Sequence, residues 1–183
     1  MLHFRDDDHA FSKFINEYQE QVFHIVLNMV QHTEDAEEIT QDVFVDVFRK
    51  PDAFRGEAQV STWLYRIAVN KSIDHLRKKQ RRNRWMGIWP VKEQTPEPPD
   101  FIHPGIIAEN REKSVYLFRA MKQLPPNQHA AWTLSEIENL SYKDIAEVLN
   151  LSLSSVESLI FRARQNLRKI LSGMHPGNKQ ITE

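Results

Sequence analysis

The sequence lacks cysteine, has only five glycines among its 183 residues, and contains no long apolar run. Without cysteine the chain cannot form disulfides, use thiol catalysis or bind zinc through thiolates, and it suits a reducing compartment. No apolar run reaches the roughly 18 residues that a membrane-spanning helix needs, and the acidic N-terminus lacks the apolar segment of a signal peptide. We therefore expect a cytoplasmic protein that does not insert stably into membranes.

Sequence features that indicate catalysis are also scarce. The eight histidines lack metal-ligand spacing, and neither a phosphate-binding glycine-rich loop nor a nucleophile elbow occurs. The carboxylates between residues 34 and 46 fall at helical spacing, which favours a solvated or partner-binding face over a metal site. We predict a protein with no enzymatic activity, no metal and no cofactor.

Charge is distributed unevenly along the chain, although the net charge is only −1. Residues 1–60 carry five Lys/Arg and thirteen Asp/Glu, whereas residues 61–89 carry eight Lys/Arg and one Asp/Glu. Six of these cations lie within residues 77–84. Neighbouring acidic and basic segments indicate two different partners, one of them a polyanion.

Apolar periodicity predicts helices and no strands. A stripe about five turns long begins at Phe11, and a second helix is capped by Thr33 and ends before Pro51. A third helix, capped by Ser61 or Thr62, runs into the basic segment. The predicted buried stripe of the second helix is Ala36, Ile39, Val43, Val47 and Phe48.

Residues 85–108 show no helical period and contain five of the nine prolines, which predicts an extended linker. At about 3.3 Å per residue, such a segment spans up to roughly 80 Å. We therefore expect an all-α protein of two small helical domains, residues 1–84 and 111–173, with a linker at 85–110 and a flexible tail at 174–183.

The C-terminal segment predicts a helix-turn-helix. One helix begins at the cap Ser141, a turn follows at residues 150–153, and the second helix begins with a capping-box pattern of Ser154 and Glu157. In this motif the second helix enters the major groove, while the N-terminus of the first favours a phosphate. Many paired helices bind no DNA, so this segment alone leaves its function open. The candidate contacts are Tyr142, Lys143, Ser154, Ser155, Glu157, Ser158 and Arg162.

The basic run also has two interpretations, because such runs are often solvated surface. Alternatively, the third helix holds a phosphate backbone and stacks bases. Trp63 shares an apolar stripe with Ile67, which favours a core position, whereas Tyr65 and Asn70 lie off that stripe and are freer to contact a ligand.

Two blocks of sequence carry a family resemblance. The first resembles region 2 of bacterial RNA polymerase sigma factors and comprises EDAEEITQDVF at 34–44, FRGE at 54–57, STWLYRIAVN at 61–70 and DHLR at 74–77. The second resembles region 4 and comprises LP at 124–125, LSYKDIAEVL at 140–149, SV at 155–156 and RAR at 162–164. Two such blocks with little between them resemble the compact extracytoplasmic-function (ECF) group.

The resemblance implies partners for both domains. In the family, the acidic helix of region 2 docks on the β′ clamp helices of core RNA polymerase, and region 4 lies at the β flap. Glu38, Gln41 and Asp42 occupy the matching docking positions. The resemblance further implies control by an anti-sigma factor, which the sequence itself does not show.

The resemblance also implies promoter recognition. In the family, the third helix binds the −10 element and captures a flipped-out base, and flipping costs a few kcal/mol of unstacking. Region 4 reads the −35 element as duplex, so the linker must bridge about two turns of DNA, roughly 70 Å. The matching −10 candidates are Tyr65, Arg66, Asn70, Lys71, Arg77 and Lys78.

The recognition helix departs from the family pattern. The family usually has Gly-Thr-Val followed by Lys or Arg, with another Arg two residues later. Here Val156 is followed by Glu157 and then by Leu159, so two expected cations are missing. We expect a weaker or altered −35 contact.

Two other functions remain open from the sequence. One is a sigma-like regulator that binds polymerase but activates no promoter, although Glu38, Gln41, Asp42 and Asn70 argue against it. The other is a dimeric helix-turn-helix repressor, which would need a palindromic operator and leaves the N-terminal 110 residues unexplained.

Overall fold

The computed structural model describes residues 8–50, 53–54, 56, 59–86 and 111–174. The predicted linker and tail therefore lie outside the described residues, apart from their first one or two positions. The described parts contain no strand, and none of their helices is long and apolar enough to cross a membrane. The helices are α1 (Asp8–Val30), α2 (Thr33–Arg49), α3 (Val60–Trp85), α4 (Arg111–Met121), α5 (Pro126–Glu136), α6 (Tyr142–Leu149) and α7 (Leu153–Met174).

Helices α1, α2 and α3 pack around one apolar core. The predicted stripe of α2 is buried except at Phe48, which is 44% exposed and instead contacts Phe11 with its ring centroid 4.9 Å away. Phe48 was predicted wrongly because successive helical residues are about 100° apart, so Val47 facing the core turns its neighbour outward. The fully buried members are Val22, Ile25, Val26, Ala36, Val43, Val47, Leu64, Ala68 and Val69.

The N-caps of α2 and α3 differ from the sequence prediction. Thr33 is already helical, and His32 is the cap, because its Nδ1 atom accepts a hydrogen bond from the Asp35 N–H at 3.3 Å. The cap of α3 is Gln59 without a side-chain bond, so Ser61 and Thr62 lie inside the first turn. A neutral imidazole nitrogen is an acceptor like a hydroxyl oxygen, which is why His32 can replace threonine here.

In the C-terminal domain, α7 packs against α4, α5 and α6. Helix α6 is followed by the C-cap Asn150 in the left-handed conformation, and Ser141 caps its start as predicted. Helix α7 begins at Leu153, so Ser152 rather than Ser154 lies before it and accepts the Ser155 N–H at 3.3 Å. The predicted capping box was therefore placed too late. A second small core contains Phe118, Met121, Leu124, Ala163 and Leu167.

The two domains pack directly against each other. Helix α3 contacts α5 and α6, and α1 contacts α5. The main hydrophobic core is therefore continuous between domains, and α5 and α6 contribute fully buried side chains to it. These are Ala130, Ala131, Leu134, Ile145 and Val148.

Candidate polymerase and DNA interfaces

An acidic surface lies on the outer side of α2. The helix buries its apolar stripe together with Thr40 and Phe44, and most of its carboxylates and Gln41 lie on the side that faces away from the core. The three predicted docking residues belong to this surface, and two more carboxylates extend it toward the helix N-terminus, where negative charge is favourable. The exposed members of the acidic α2 face are Glu34, Glu37, Glu38, Gln41 and Asp42.

Asp35 joins the start of α2 to α3. Its Oδ2 atom lies 3.1 Å from both the Lys79 Nζ atom and the His75 Nε2 atom. Burial works to raise the pKa of Asp35, but the hydrogen bond and charge of Lys79, with His75 and His32, outweigh it and lower the pKa. Lys79 therefore belongs to the contact between α2 and α3, although it lies within the basic run.

Lys71 connects the predicted polymerase surface to the predicted −10 surface. Its Nζ atom lies 2.8 Å from an Asp46 carboxylate oxygen and 3.6 Å from one of Asp42. A residue predicted to contact promoter DNA thus forms ion pairs with α2, one of them to a predicted docking residue.

Of the remaining −10 candidates, Tyr65, Arg66, Asn70 and Arg77 lie away from Lys71 around α3, whereas Lys78, seven residues after Lys71, shares its side of the helix. Asn70, Arg77 and Lys78 are exposed, whereas Tyr65 and Arg66 are half-buried. Burial, with the charge of Glu138 adding to it, raises the pKa of Tyr65. Trp63 also packs against the core, and its ring contacts the ring of Phe54 with centroids 5.3 Å apart.

Two −10 candidates bond to the C-terminal domain. The Arg66 Nε atom donates a hydrogen bond to the Glu147 carbonyl at 3.1 Å, and its Nη2 atom lies 3.8 Å from the Glu147 carboxylate. The Arg77 Nη2 atom donates to the Asn127 side-chain oxygen at 3.1 Å. The C-terminal domain therefore lies over the side of α3 that carries the predicted DNA contacts.

The predicted recognition helix α7 carries its polar residues near its start. Ser154, Glu157, Ser158 and Arg162 are exposed. Ser155 is half-buried, with its hydroxyl 2.8 Å from that of Ser152. On α6, Lys143 is exposed, and Tyr142 is half-buried against the core. The helix-turn-helix thus brings all seven candidates to two adjoining helices.

Comparison with known proteins decides the family. Residues 14–82 match the Sigma-70 region 2 family, and residues 114–167 match the Sigma-70, region 4 family. The chain is 32% identical to the RNA polymerase sigma-H factor of Pseudomonas aeruginosa over 177 residues. This alignment covers 91% of this chain and 89% of the relative. It is 31% identical to the ECF RNA polymerase sigma-E factor of Escherichia coli K12 over 165 residues, which are 88% of this chain and 86% of the relative. The chain belongs to the ECF group of the sigma-70 family.

Two solved structures share the fold. One is RpoE in complex with the anti-sigma factor NepR from Bartonella quintana, with a TM-score of 0.64 at 19% identity over 90% of this chain and 98% of that chain. The other is CnrH in complex with the cytosolic domain of CnrY, with a TM-score of 0.62 at 21% identity over 93% and 92%. The predicted all-α fold with region 2 and region 4 domains is confirmed.

Membership in the family settles the general role. This sigma factor acts in transcription initiation, and its partners are RNA polymerase and promoter DNA. Sigma factors are initiation factors rather than catalysts, in line with the prediction of a protein that is not an enzyme. The match to region 2 also accounts for the N-terminal domain, which the repressor interpretation left unexplained.

Phe161 is a candidate contact of the sigma factor that the sequence analysis missed. This side chain is 60% exposed on α7, one turn after Glu157 and Ser158. An exposed phenylalanine on a recognition helix can contact the C5-methyl group of thymine. The sequence could have indicated this contact, because Phe161 is four residues after Glu157 and residues four apart share a helix face.

Proposed function

We propose that this sigma factor binds core RNA polymerase through the acidic α2 face and directs it to promoters with −10 and −35 elements, where it promotes DNA melting. One observation carries the proposal: the exposed acidic face of α2 lies beside a helix whose other side carries exposed amide and guanidinium groups. Opposite surface charges on adjacent elements suit a protein that holds a protein partner and a nucleic acid together.

Polymerase docking is assigned to Glu38, Gln41 and Asp42. All three are exposed on one helix whose other side is anchored in the core, so a partner meets them on a rigid support. Their charge suits a basic partner surface, which we identify with the β′ clamp helices, while region 4 lies at the β flap. An anti-sigma factor would act by covering these same surfaces.

Recognition of the −10 element is assigned to α3. Asn70 carries an amide that can both donate and accept hydrogen bonds, as reading the edge of an unstacked base requires. Arg66, Arg77 and Lys78 supply positive charge for the phosphates, and Tyr65 supplies a ring for stacking. Lys71 joins them only when its ion pairs with Asp42 and Asp46 are broken.

Recognition of the −35 element is assigned to α6 and α7. Tyr142 and Lys143 lie at the start of α6, a position that favours phosphates. Ser154, Ser155, Ser158 and Arg162 can hydrogen-bond to bases or phosphates, whereas Glu157 accepts only from a donor such as cytosine N4. A carboxylate close to DNA phosphates is otherwise repelled, so binding to the −35 element is weak or unusual in sequence.

The test combines the sigma factor with purified core polymerase and genomic DNA, followed by sequencing of the RNA 5′ ends. Discrete starts with shared upstream motifs, absent with core alone, are expected. Tight core binding without starts would instead indicate a sigma-like regulator, and neither binding nor starts would overturn the proposal.

A matched pair of variants assigns the docking surface. Asp42→Lys reverses a charge on the acidic α2 face and is expected to abolish core binding. Glu20→Lys makes the same charge change on α1, where the side chain is highly exposed, and is expected to bind core normally. Equal binding by both variants would remove Asp42 from the docking surface.

A further inference from the structure

The face of α3 that carries Asn70 continues beyond the residues assigned to the −10 element. Arg77, Arg81 and Arg84 follow Asn70 at successive spacings of seven, four and three residues. At 3.6 residues per turn, these spacings place the three arginines within about 40° of Asn70 around the helix. A row of arginines therefore extends the proposed −10 surface to the last turn of α3.

The last two arginines of this row are free of contacts with other charged groups. Arg77 donates a hydrogen bond to Asn127 of α5, whereas Arg81 and Arg84, one and two turns further on, are exposed. Within the part of the chain that the structure describes, neither of them has an ion pair or a side-chain hydrogen bond. Two unpaired cations on one side of a rigid helix suit a partner with regularly repeated negative charge, such as a phosphate backbone.

Trp85 gives the arginine row an apolar end. It follows Arg84 directly and, at 93%, is the most exposed large apolar side chain of the described residues. An indole ring in water gains free energy when a partner covers it, so a ring this exposed favours a binding surface over a merely solvated helix end. Proteins that bind the minor groove of DNA place apolar side chains beside cations in this way and insert them between base pairs.

The length and direction of α3 determine which DNA this end would meet. Arg81 and Trp85 lie 11 and 15 residues after Asn70, which is about 16 to 22 Å along the helix at 1.5 Å per residue. At about 3.4 Å per base pair, this distance corresponds to at most about six base pairs of duplex. The chain leaves α3 at Trp85 and continues to region 4, which is assigned to the −35 element, so the end of α3 faces the −35 side. The DNA there is the spacer between the two elements.

We propose that Arg81, Arg84 and Trp85 form a further DNA site, which binds the spacer duplex within about six base pairs of the −10 element. The two arginines bind phosphates, and the Trp85 ring enters the minor groove between two base pairs. This inference rests on the proposed function for the position of the −10 element. Because phosphates carry no sequence information, the site adds affinity and selects a deformable spacer rather than a base sequence.

Phosphate binding is measured with the full chain and a duplex of random sequence, which requires neither polymerase nor a promoter. Arg84→Ala should weaken binding several-fold and lower the slope of log K against log salt by about one unit. Arg82→Ala is the matched control, because Arg82 is also an exposed arginine but lies about 120° from Asn70 around α3. It should bind nearly as the parent does. Equal binding by the two variants would show that the arginine row is not a site.

The position of the site is measured with holoenzyme on a promoter duplex identified by the transcription test. Single methylphosphonates remove the charge of one phosphate without changing the sequence. Between about four and six base pairs upstream of the −10 element, they should weaken binding of the parent and leave binding of Arg84→Ala unchanged. A parent that is insensitive at these positions, or a variant as sensitive as the parent, would overturn the spacer assignment. If the transcription test finds no promoter, the result with random duplex still stands, so the two failures are distinguishable.

Insertion of Trp85 is measured with 2-aminopurine placed in the same stretch of spacer, because this base fluoresces more strongly when it is unstacked. Holoenzyme with the parent chain should raise the fluorescence, and holoenzyme with Trp85→Ala should not. Trp85→Phe keeps an apolar ring and should restore most of the increase. The salt dependence of random-duplex binding should be the same in all three proteins, because the arginines are unchanged. An equal increase with Trp85→Ala, or none with the parent, would show that Trp85 does not enter the duplex.

Discussion

His129 shows how burial fixes the protonation state of one residue. Burial lowers its pKa from 6.5 to about 4, against the opposing effect of a hydrogen bond to the Asn28 backbone. Within the described residues, its Nε2 atom has no hydrogen-bond partner, so protonation there would place an unpaired charge in the core. The imidazole is therefore neutral in the folded protein at neutral pH.

This pKa predicts a loss of stability in acid. Between pH 6.5 and pH 4 the unfolded chain binds a proton on this imidazole and the folded chain does not, so the free energy of unfolding falls by about 1.4 kcal/mol per pH unit. Glu138 acts in the opposite sense because burial raises its pKa. Denaturant titrations should show a shallower decline for His129→Gln than for the parent, since both retain Glu138. Parallel declines would contradict the prediction.

Phe161 is expected to read a thymine methyl group in the −35 element. Replacing thymine by deoxyuridine removes only that methyl group, so the parent should lose about 1 kcal/mol of binding free energy at the contacted position. Phe161→Ala should bind the two duplexes equally, as measured by fluorescence anisotropy. If the variant kept the parent's preference for thymine, the methyl group would be read by another side chain.

Glu157 is expected to weaken the −35 contact through its charge. Glu157→Lys should bind −35 duplex more tightly and with a salt dependence steeper by about one unit in log K against log salt. The control is Glu20→Lys, which makes the same charge change away from α7. An unchanged affinity in the Glu157 variant would mean that repulsion by this carboxylate is not the cause of weak binding.

At the scale of elements, the contact between α2 and α3 depends on Asp35. Asp35→Asn removes the charge that Lys79 and His75 face and should lower the free energy of unfolding by about 2 kcal/mol near neutral pH. Because the folded state lowers the pKa of Asp35, its contribution is present above the ordinary value of 3.8 and is lost as the pH falls below it. The difference between the two proteins should therefore shrink in acid.

A second aspartate provides the control for Asp35. Asp74 lies on the exposed part of α3, 3.6 Å from an Arg77 nitrogen, and exposed pairs of this kind contribute little. Asp74→Asn should leave urea unfolding nearly unchanged. A loss for Asp35→Asn as small as that for Asp74→Asn would show that the contact between α2 and α3 does not depend on the charge of Asp35.

Sequence patterns predicted the helices better than their ends. Four of the five predicted stripe positions of α2 are buried, because the apolar period is a local property; Phe48 is exposed instead, and Thr40 and Phe44 are buried in addition. The caps were harder, because several polar residues stand near each helix start and any of them can accept the bond. His32 and Ser152 accept these bonds because the backbone places them directly before the first helical turn, and neighbouring elements determine that backbone path.

At the scale of the whole molecule, the packing of the two domains could not be predicted from the sequence. Asn28 and Glu138 are 110 positions apart, and nothing local to either residue indicates the other. The family resemblance predicts two DNA-binding surfaces, and their residues stay predictions. It gave no indication that Arg66 and Arg77 bond to the C-terminal domain, because those contacts depend on the packing of the two domains.

The ion pairs of Lys71 would couple the two proposed binding faces of region 2. The Lys71 ammonium group lies between the carboxylates of Asp46 and Asp42. A polymerase that engages the Asp42 carboxylate would therefore remove one of the two ion pairs of Lys71. If Lys71 binds a phosphate as proposed, the loss of the Asp42 contact leaves only the Asp46 contact to be broken, and by linkage a phosphate bound to Lys71 changes the affinity of α2 for polymerase by the same factor. On the proposed assignments, assembly with polymerase and engagement of the promoter are then cooperative within a single helical domain.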